Sequence, residues 1–448
     1  MTKDMTQGSP MKLILGFTIP LLFGFLFQQC YSLVDTIIVG RFLGVDALAA
    51  VGSTGPLNFF IIGFCTGVCS GFSIPISHKF GAGDYVGLRK TVANTVWLSI
   101  IFSVVMTTVT VVACRMILIL TKTPENIFEG AYEYFVIILL GIPVTYLYNL
   151  LSGIIRALGD SKTPVIFLTI AAVLNIFLDI LFIVTFQMGI AGAAWATVLS
   201  QGIAGISCLF YMIKKFEILK IQKEEWAPDR HLMGILCNMG IPMGLQYSIT
   251  AIGSVVLQTA VNTLGSGAVA AVTAASRVGM FMMCPFEAMG NTMATYGGQN
   301  VGAGRLDRLT QGVKSCLLIG FTYAAMAIGI VYFAGRYLIG MFVEASEVAI
   351  VDDAFIYLFI NTIFYFGLAI VNIVRFMIQG MGFSKLAVLA GIFEMVARGI
   401  VGFALVPVFG FTAAAFGSPL AWIMADCFLI PAYIYCNKQL HKRMGKEC

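Results

Sequence analysis

The sequence predicts an all-α polytopic membrane protein. It has twelve transmembrane helices in two six-helix lobes, related by a pseudo-two-fold axis along the membrane normal. Three observations carry this reading. Of 448 residues, 59% are hydrophobic and only 11% charged, whereas soluble domains carry roughly 25% charged residues. Apolar runs of about 20 residues or more recur, far beyond the roughly 10 residues of a barrel strand. The same short motifs appear twice, at an offset of 221 or 222 residues. Disorder is excluded by the same composition.

The opening segment MTKDMTQGSPMK is polar, and the apolar run behind it is too long for a signal peptide and lacks a small-residue cleavage site, so it is expected to be the first helix. The spans are expected at approximately 13–40, 47–77, 92–118, 131–153, 164–186, 190–212, 235–262, 269–297, 312–341, 354–380, 386–407 and 412–436. Several exceed an untilted crossing, which implies tilt or kinks. Orientation follows from Lys and Arg. With the N-terminus in the cytoplasm, Arg41, Arg115, Lys122 and Arg336 fall outside and Arg277, Arg375 and Arg398 within spans; the remaining 20 of the 27 Lys and Arg fall inside. Both termini are therefore expected in the cytoplasm. The net charge of +5 is then a topology signal and not a nucleic-acid footprint. The 11 Cys lie mostly within apolar runs and read as small buried hydrophobes.

A polar stretch, 214–231, separates an N-lobe (1–213) from a C-lobe (232–448) that ends in a short cytoplasmic tail. IPLLFG at Ile19 matches IPMGLQ at Ile241, LGVDALAAV at Leu43 matches LGSGAVAAV at Leu264, and FGAGD at Phe80 matches VGAGR at Val301. An odd number of spans per repeat would invert the second copy; six keep the copies parallel.

Ionisable residues at membrane depth are expensive and usually functional. The acidic candidates are Asp35, Asp179, Glu287, Glu394 and Asp426. Asp35 in span 1, Asn175 and Asp179 in span 5, and Ala193 and Thr197 in span 6 fall at similar outer depths, roughly 7–17 Å at 1.5 Å per residue. Residues four apart share a helix face, so Asn175 stacks with Asp179 and Ala193 with Thr197. Two carboxylates, an amide, a hydroxyl and an accessible carbonyl form an all-oxygen set. It could hold Na⁺ at Asp35, Asn175, Asp179 and Thr197, or a proton between the close carboxylates. The plainer alternative is unrelated polar groups satisfied by neighbouring helices. The second half does not repeat this set: Asp35 corresponds to Val256–Leu257 and Asp179 to about Gly402.

Glu394 and Arg398, four apart, are expected to pair. Arg277, Glu287, Arg375 and Asp426 are expected either to line a cavity or lobe interface or to lock helices together. Pro20 and its mate Pro242 each interrupt a first helix, as a hinge or as a static kink. Phe281, Met282, Met283, Phe286 and Met289 form an adaptable apolar row suited either to varied ligands or to packing. The three His (His78, His231, His441) lie in loops or the tail, and no Walker A, HExxH, GxSxG or CxxC framework is present. Neither enzymatic activity nor a cofactor is expected, and without a nucleotide site transport would be driven by an ion gradient.

The chain resembles the MATE family, the multidrug and toxic compound extrusion antiporters, over essentially its whole length. The resemblance rests on VDTIIVGRFLG at 34–44, the GAG loops at 81–83 and 302–304, RALGDSKTP at 156–164 and the constellation Asp35, Asn175, Asp179, Ala193 and Thr197. It implies a monomer in a prokaryotic cytoplasmic membrane that expels cationic or amphipathic small molecules in exchange for Na⁺ or H⁺, by alternating access of its lobes. It also implies Pro20 as a bending proline. One branch of the family has a second site from a Glu in span 7 and an Asp in span 10. Here those spans hold Gln246, Gln258, Asn361, Asn372, Arg375 and Gln379 but no acid. A lipid-linked oligosaccharide flippase of the same superfamily is the alternative. Its cavity would be rich in cations, whereas the intramembrane Arg here are few and partly paired.

Overall fold

In the computed structural model, residues 3–343 and 347–444 are described. Among them the chain is helical throughout. The helices are α1 Pro10–Leu43, α2 Val45–Ser53, α3 Gly55–Gly81, α4 Tyr85–Leu120, α5 Glu125–Leu140, α6 Ile142–Ala157, α7 Lys162–Asp179 and α8 Gly189–Lys215. After the linker come α9 Arg230–Asn262, α10 Ser266–Gly302, α11 Asp307–Ile339, α12 Val348–Ile363, α13 Tyr365–Gly380, α14 Ser384–Ile400, α15 Val406–Ala415 and α16 Gly417–Met444. Ten described stretches are long and apolar enough to cross a bilayer, and two bent pairs bring the number to as many as twelve. The pairs are α5 with α6, bent by 46°, and α12 with α13, bent by 50°. Each bend sits where a single long run was expected.

The packing forms two compact units. The first comprises residues 3–4 and 23–247, the second 5–22, 248–343 and 347–444. The boundary runs inside α1 and α9. It lies two residues beyond Pro20 in the one and five beyond Pro242 in the other.

Duplication extends below the level of helices. The positive-φ glycines Gly44, Gly83, Gly159 and Gly189 recur as Gly265, Gly304, Gly382 and Gly410. At Gly159 the surroundings alone forbid a side chain, since a Cβ would collide with the Lys3 carbonyl. A π-helical turn follows α7 at Ile180–Thr185, and another follows α14 at Val401–Leu405. This register sets Ile400 opposite Asp179, two residues from the expected Gly402. Arg115 pairs with Glu129 at 3.2 Å and lies over the Tyr132 ring. Arg336 repeats the arrangement with Asp352 at 3.0 Å and the Phe355 ring.

Inside the first unit, α3 carries Gly67 and Gly71, and the start of α9 carries Gly240 and Gly244. A Cβ on Gly71 would stand 2.5 Å from the Gly240 Cα, and one on Gly67 would stand 2.6 Å from the Met243 carbonyl. These are two facing small-xxx-small stripes, which let backbones approach where lipid removes the hydrophobic drive between helices. Further α3 residues, among them Cys65, Val68 and Phe72, join the apolar core built with α4 and α6.

The linker is folded rather than a plain polar loop. Short 3₁₀ turns at Glu217–Leu219 and Lys223–Trp226 lie against α4. Arg89 grips Glu225 through both nitrogens, at 2.7–3.0 Å. Asn94 accepts from the Asp229 amide at 2.8 Å, and the Trp97 indole donates to the Trp226 carbonyl at 3.1 Å. The guanidinium and the Gln222 amide hold the Glu225 carboxyl below its ordinary value of 4.5. A depressed carboxyl contributes stability above its unfolded value and loses it as pH falls through the folded one. Amide exchange across 217–229, corrected for intrinsic rates, should therefore stay slow above about pH 4.5 and accelerate only below it. Glu225→Gln should exchange faster above about pH 4.5, with the difference shrinking as the wild-type carboxyl is protonated at lower pH; unaltered protection in that variant near neutral pH would contradict the clamp.

Candidate cation-binding site

The site lies wholly in the first unit. The second half of α1 carries Asp35, the end of α7 carries Asn175 and Asp179, and the start of α8 carries Ala193 and Thr197. Between α7 and α8 lie only the π-helical turn and Phe186–Met188, so the two helices run antiparallel and pack closely. Asp179 ends the α-helical hydrogen bonding just where the π turn begins; such turns frequently mark functional positions. Asp179 is completely buried, Asn175 and Ala193 nearly so, and Asp35 and Thr197 are half-buried.

The hydrogen bonds run in one direction. The Asn175 amide nitrogen donates to Thr197 Oγ1 at 3.5 Å, and that hydroxyl donates to the Ala193 carbonyl at 3.1 Å. The donors are thus used among themselves. Asn175 Oδ1, both Asp179 oxygens and Asp35 Oδ1 are buried and receive no hydrogen bond. The Asp35 and Asp179 carboxyls face each other at hydrogen-bonding range, but two carboxylates are both acceptors, and a bond between them needs a proton on one. Four buried acceptors with no donor form an arrangement that a proton or an oxygen-seeking cation completes. Na⁺ would be held by Asp35, Asn175, Asp179 and Thr197, the first three supplying the free oxygens.

Two groups escaped the sequence reading. Tyr31 and Tyr134 stand beside both carboxyls. Tyr31 was legible in principle, one turn before Asp35 on the same face. Tyr134 arrives from α5 and has no local signal. Around them Ile38, Val39, Ile137, Ile138 and Ile183 form an apolar shell, which excludes water and strengthens every charge interaction within.

The second unit places its charges differently. Glu394 sits between Arg375 on α13, with which it pairs closely, and Arg398 at 3.8 Å. The expected Glu394–Arg398 pair is thus a triad in which Arg375 is the nearer partner. Asp426 on α16 lies near Arg375 and fits beside Gly367, where a Cβ would stand 3.3 Å from Oδ2. Two cations and two anions, each under a tenth exposed, nearly neutralise one another. Of the other predicted residues, Glu287 is exposed and Arg277 and Met282 are half-buried on α10. Phe286 is packed: its ring is fully buried, edge-on to Tyr323 and Tyr365 at 5.3 and 5.4 Å.

The MatE family pattern matches residues 20–181 and again 242–404, one stretch in each half. The chain belongs to the MatE family. It is 32% identical over 371 residues to the probable multidrug resistance protein YpnP of Bacillus subtilis, covering 81% of this chain and 82% of that one. It is 30% identical over 338 residues to the probable multidrug resistance protein YoeA of the same organism, covering 74% and 73%. A solved outward-facing multidrug resistance MATE transporter of the MOP superfamily superposes with TM-score 0.90 over 98% of each chain at 24% identity, and so shares the fold. MatE is a transporter family, and the chain is a multi-pass membrane protein.

Two outcomes follow from these placements. Asp35→Asn removes a charge that nothing neutralises, so its melting temperature should not fall below that of the wild type. Na⁺ should stabilise the wild type, by about 2.7 kcal/mol at a hundred-fold excess over the dissociation constant, and should leave Asp35→Asn unmoved, while low pH should stabilise the wild type more than the variant, which keeps only Asp179. Thermal unfolding with Na⁺ or choline across pH 5.5–8.5 reads both effects. By contrast, Glu394→Gln removes the carboxylate that lies between two buried guanidinium groups and should cost about 3–5 kcal/mol, while Arg375→Met with Glu394→Leu should cost less than the sum of the single changes. A denaturation double-mutant cycle measures the difference.

Proposed function

We propose that this MatE protein is a secondary antiporter, not an enzyme, that exports cationic or amphipathic small organic molecules in exchange for Na⁺ or H⁺. One observation carries the reading: the buried acceptor oxygens of Asp35, Asn175 and Asp179, which receive no hydrogen bond. Each bare carboxylate costs about 2.5–3.5 kcal/mol at the centre of a spanning helix on insertion scales. A proton or Na⁺ offsets that cost, so the site has two states that differ in charge, and an ion gradient acts on such a difference. The names of the Bacillus relatives, both probable multidrug resistance proteins, support the choice of cargo.

Both termini lie in the cytoplasm in this reading, as the distribution of Lys and Arg requires, and the protein works as a monomer. Binding of the coupling ion favours one conformation only through unequal affinity for the two. Drug and ion then oppose each other, and by linkage the opposition is reciprocal. A flippase for lipid-linked oligosaccharides is disfavoured because a pyrophosphate needs free cations, and Arg375 and Arg398 already share Glu394.

The test is efflux of a cationic dye from proteoliposomes under an imposed Na⁺ gradient, an imposed proton gradient, or neither. The wild type should require one gradient. Asp179→Asn and Asn175→Ala should lose gradient dependence at least ten-fold, and the exposed-surface control Glu129→Gln should behave as wild type. Gradient-driven efflux by Asp179→Asn at the wild-type rate would defeat the proposal, as would transport restricted to anionic lipid-linked sugars.

A further inference from the structure

Away from the cation site, the first unit contains an apolar cavity of about 760 Å³, within the range of ligand pockets. Its floor is α6, at Tyr146, Leu150 and Ile154, and its walls are α4 and α8, both packed on α6. The clamped linker roofs it with Leu219, Lys220 and Trp226. None of the residues proposed for ion coupling lines it.

Its dimensions and chemistry point to one occupant. Along α4 it runs from Val92 to Val104, about 18 Å at 1.5 Å per residue. That is close to one leaflet's share of a hydrocarbon core about 30 Å thick. Ile100, Val104 and Ile213 at its edge are 50–57% exposed, as expected of side chains that face lipid. The linker end carries exposed cations among acids: Lys220 lines the cavity, Lys214, Lys215 and Lys223 stand exposed in the same segment as Glu217 and Glu224, and Glu225 is already neutralised by Arg89. The Lys220–Glu217 contact is long, at 3.6 Å, and exposed, so it leaves the ammonium available. Trp226 at the roof has the amphipathic character of interface residues. Near the middle of this length of α4, Ser99 is buried and its hydroxyl has no partner, which leaves a donor for a ligand oxygen in an otherwise apolar space.

We propose that this cavity binds one anionic phospholipid from the leaflet at the linker face, with an acyl chain between α4, α6 and α8 and the phosphate at Lys220. The apolar depth selects the chain, Lys220 at the rim selects the headgroup, and Ser99 can donate to an ester carbonyl between them. The inference rests on the chain's spanning a bilayer; it does not require drug export.

The experiment uses the full chain, reconstituted in equal phosphatidylglycerol and phosphatidylcholine, then washed in detergent and weighed intact with its retained lipid. The wild type should hold one lipid per chain, mainly phosphatidylglycerol. Ser103→Trp and Leu209→Trp place an indole in the cavity and should each lower retention at least ten-fold; two positions guard against one variant failing to fold. Lys220→Gln should keep a lipid but lower the preference for phosphatidylglycerol about five-fold, the equivalent of roughly 1 kcal/mol per surface Lys. Dye efflux by the same preparations reads the transport proposal separately. A wild type that emerges without lipid, tryptophan variants that retain the same lipid in the same ratio, or a Lys220→Gln variant with undiminished preference would overturn the assignment.

Discussion

The structure turns on a deficit of hydrogen-bond donors. Asp35, Asp179 and Asn175 bring buried oxygens together with nothing to donate to them, inside a shell of isoleucine and valine. The Thr197 hydroxyl, next to Asn175, gives its proton to the Ala193 carbonyl. An amide or hydroxyl left unmet in an apolar interior costs a few kcal/mol, and a bare charge costs more. The fold tolerates the deficit because α7 and α8 are held by a very short connection and by close packing. A proton or cation supplies what the side chains withhold.

The two units show how one scaffold takes two electrostatic forms. Both have the π turn after the fifth span, the arginine–carboxylate pair stacked on an aromatic ring, and the same sequence of positive-φ glycines. Yet the first unit gathers acids without cations, while the second places Glu394 between two arginines and Asp426 near one of them. The first arrangement is open to exchange with an ion. The second completes itself, and its worth lies in fixing α13, α14 and α16 in one register, since buried ion pairs add specificity more readily than stability.

Spans, the duplication and the five residues brought together in the candidate site were legible because each leaves a local trace. Apolar length marks a helix, a constant offset marks a repeat, and a polar residue in an apolar run stands out by its cost. Other features had a weaker trace or none. The bend between α5 and α6 falls at Gly141 with Pro143 just beyond, and the one between α12 and α13 just after Asn361 and Thr362, but apolar length alone reads through both. Tyr134 joins the site only through tertiary packing, and the linker's docking depends on Arg89 meeting Glu225 across 136 residues. The row around Phe286 left two readings open because a helical run of Phe and Met reads alike whether it faces a ligand or, as Phe286 does here, two tyrosines.

If the donor deficit governs the first unit, the occupant of the Asp35–Asp179 pair should be visible without any substrate. Infrared difference spectra of protein carrying ¹³C-labelled aspartate, recorded as pH rises or Na⁺ is added, observe it directly. A protonated aspartic acid band is expected at low pH and low Na⁺, lost with either change in the wild type, and altered in frequency and in its Na⁺ response in both Asp35→Asn and Asp179→Asn. A pair that is fully ionised under every condition, with a spectrum indifferent to Na⁺, would contradict it.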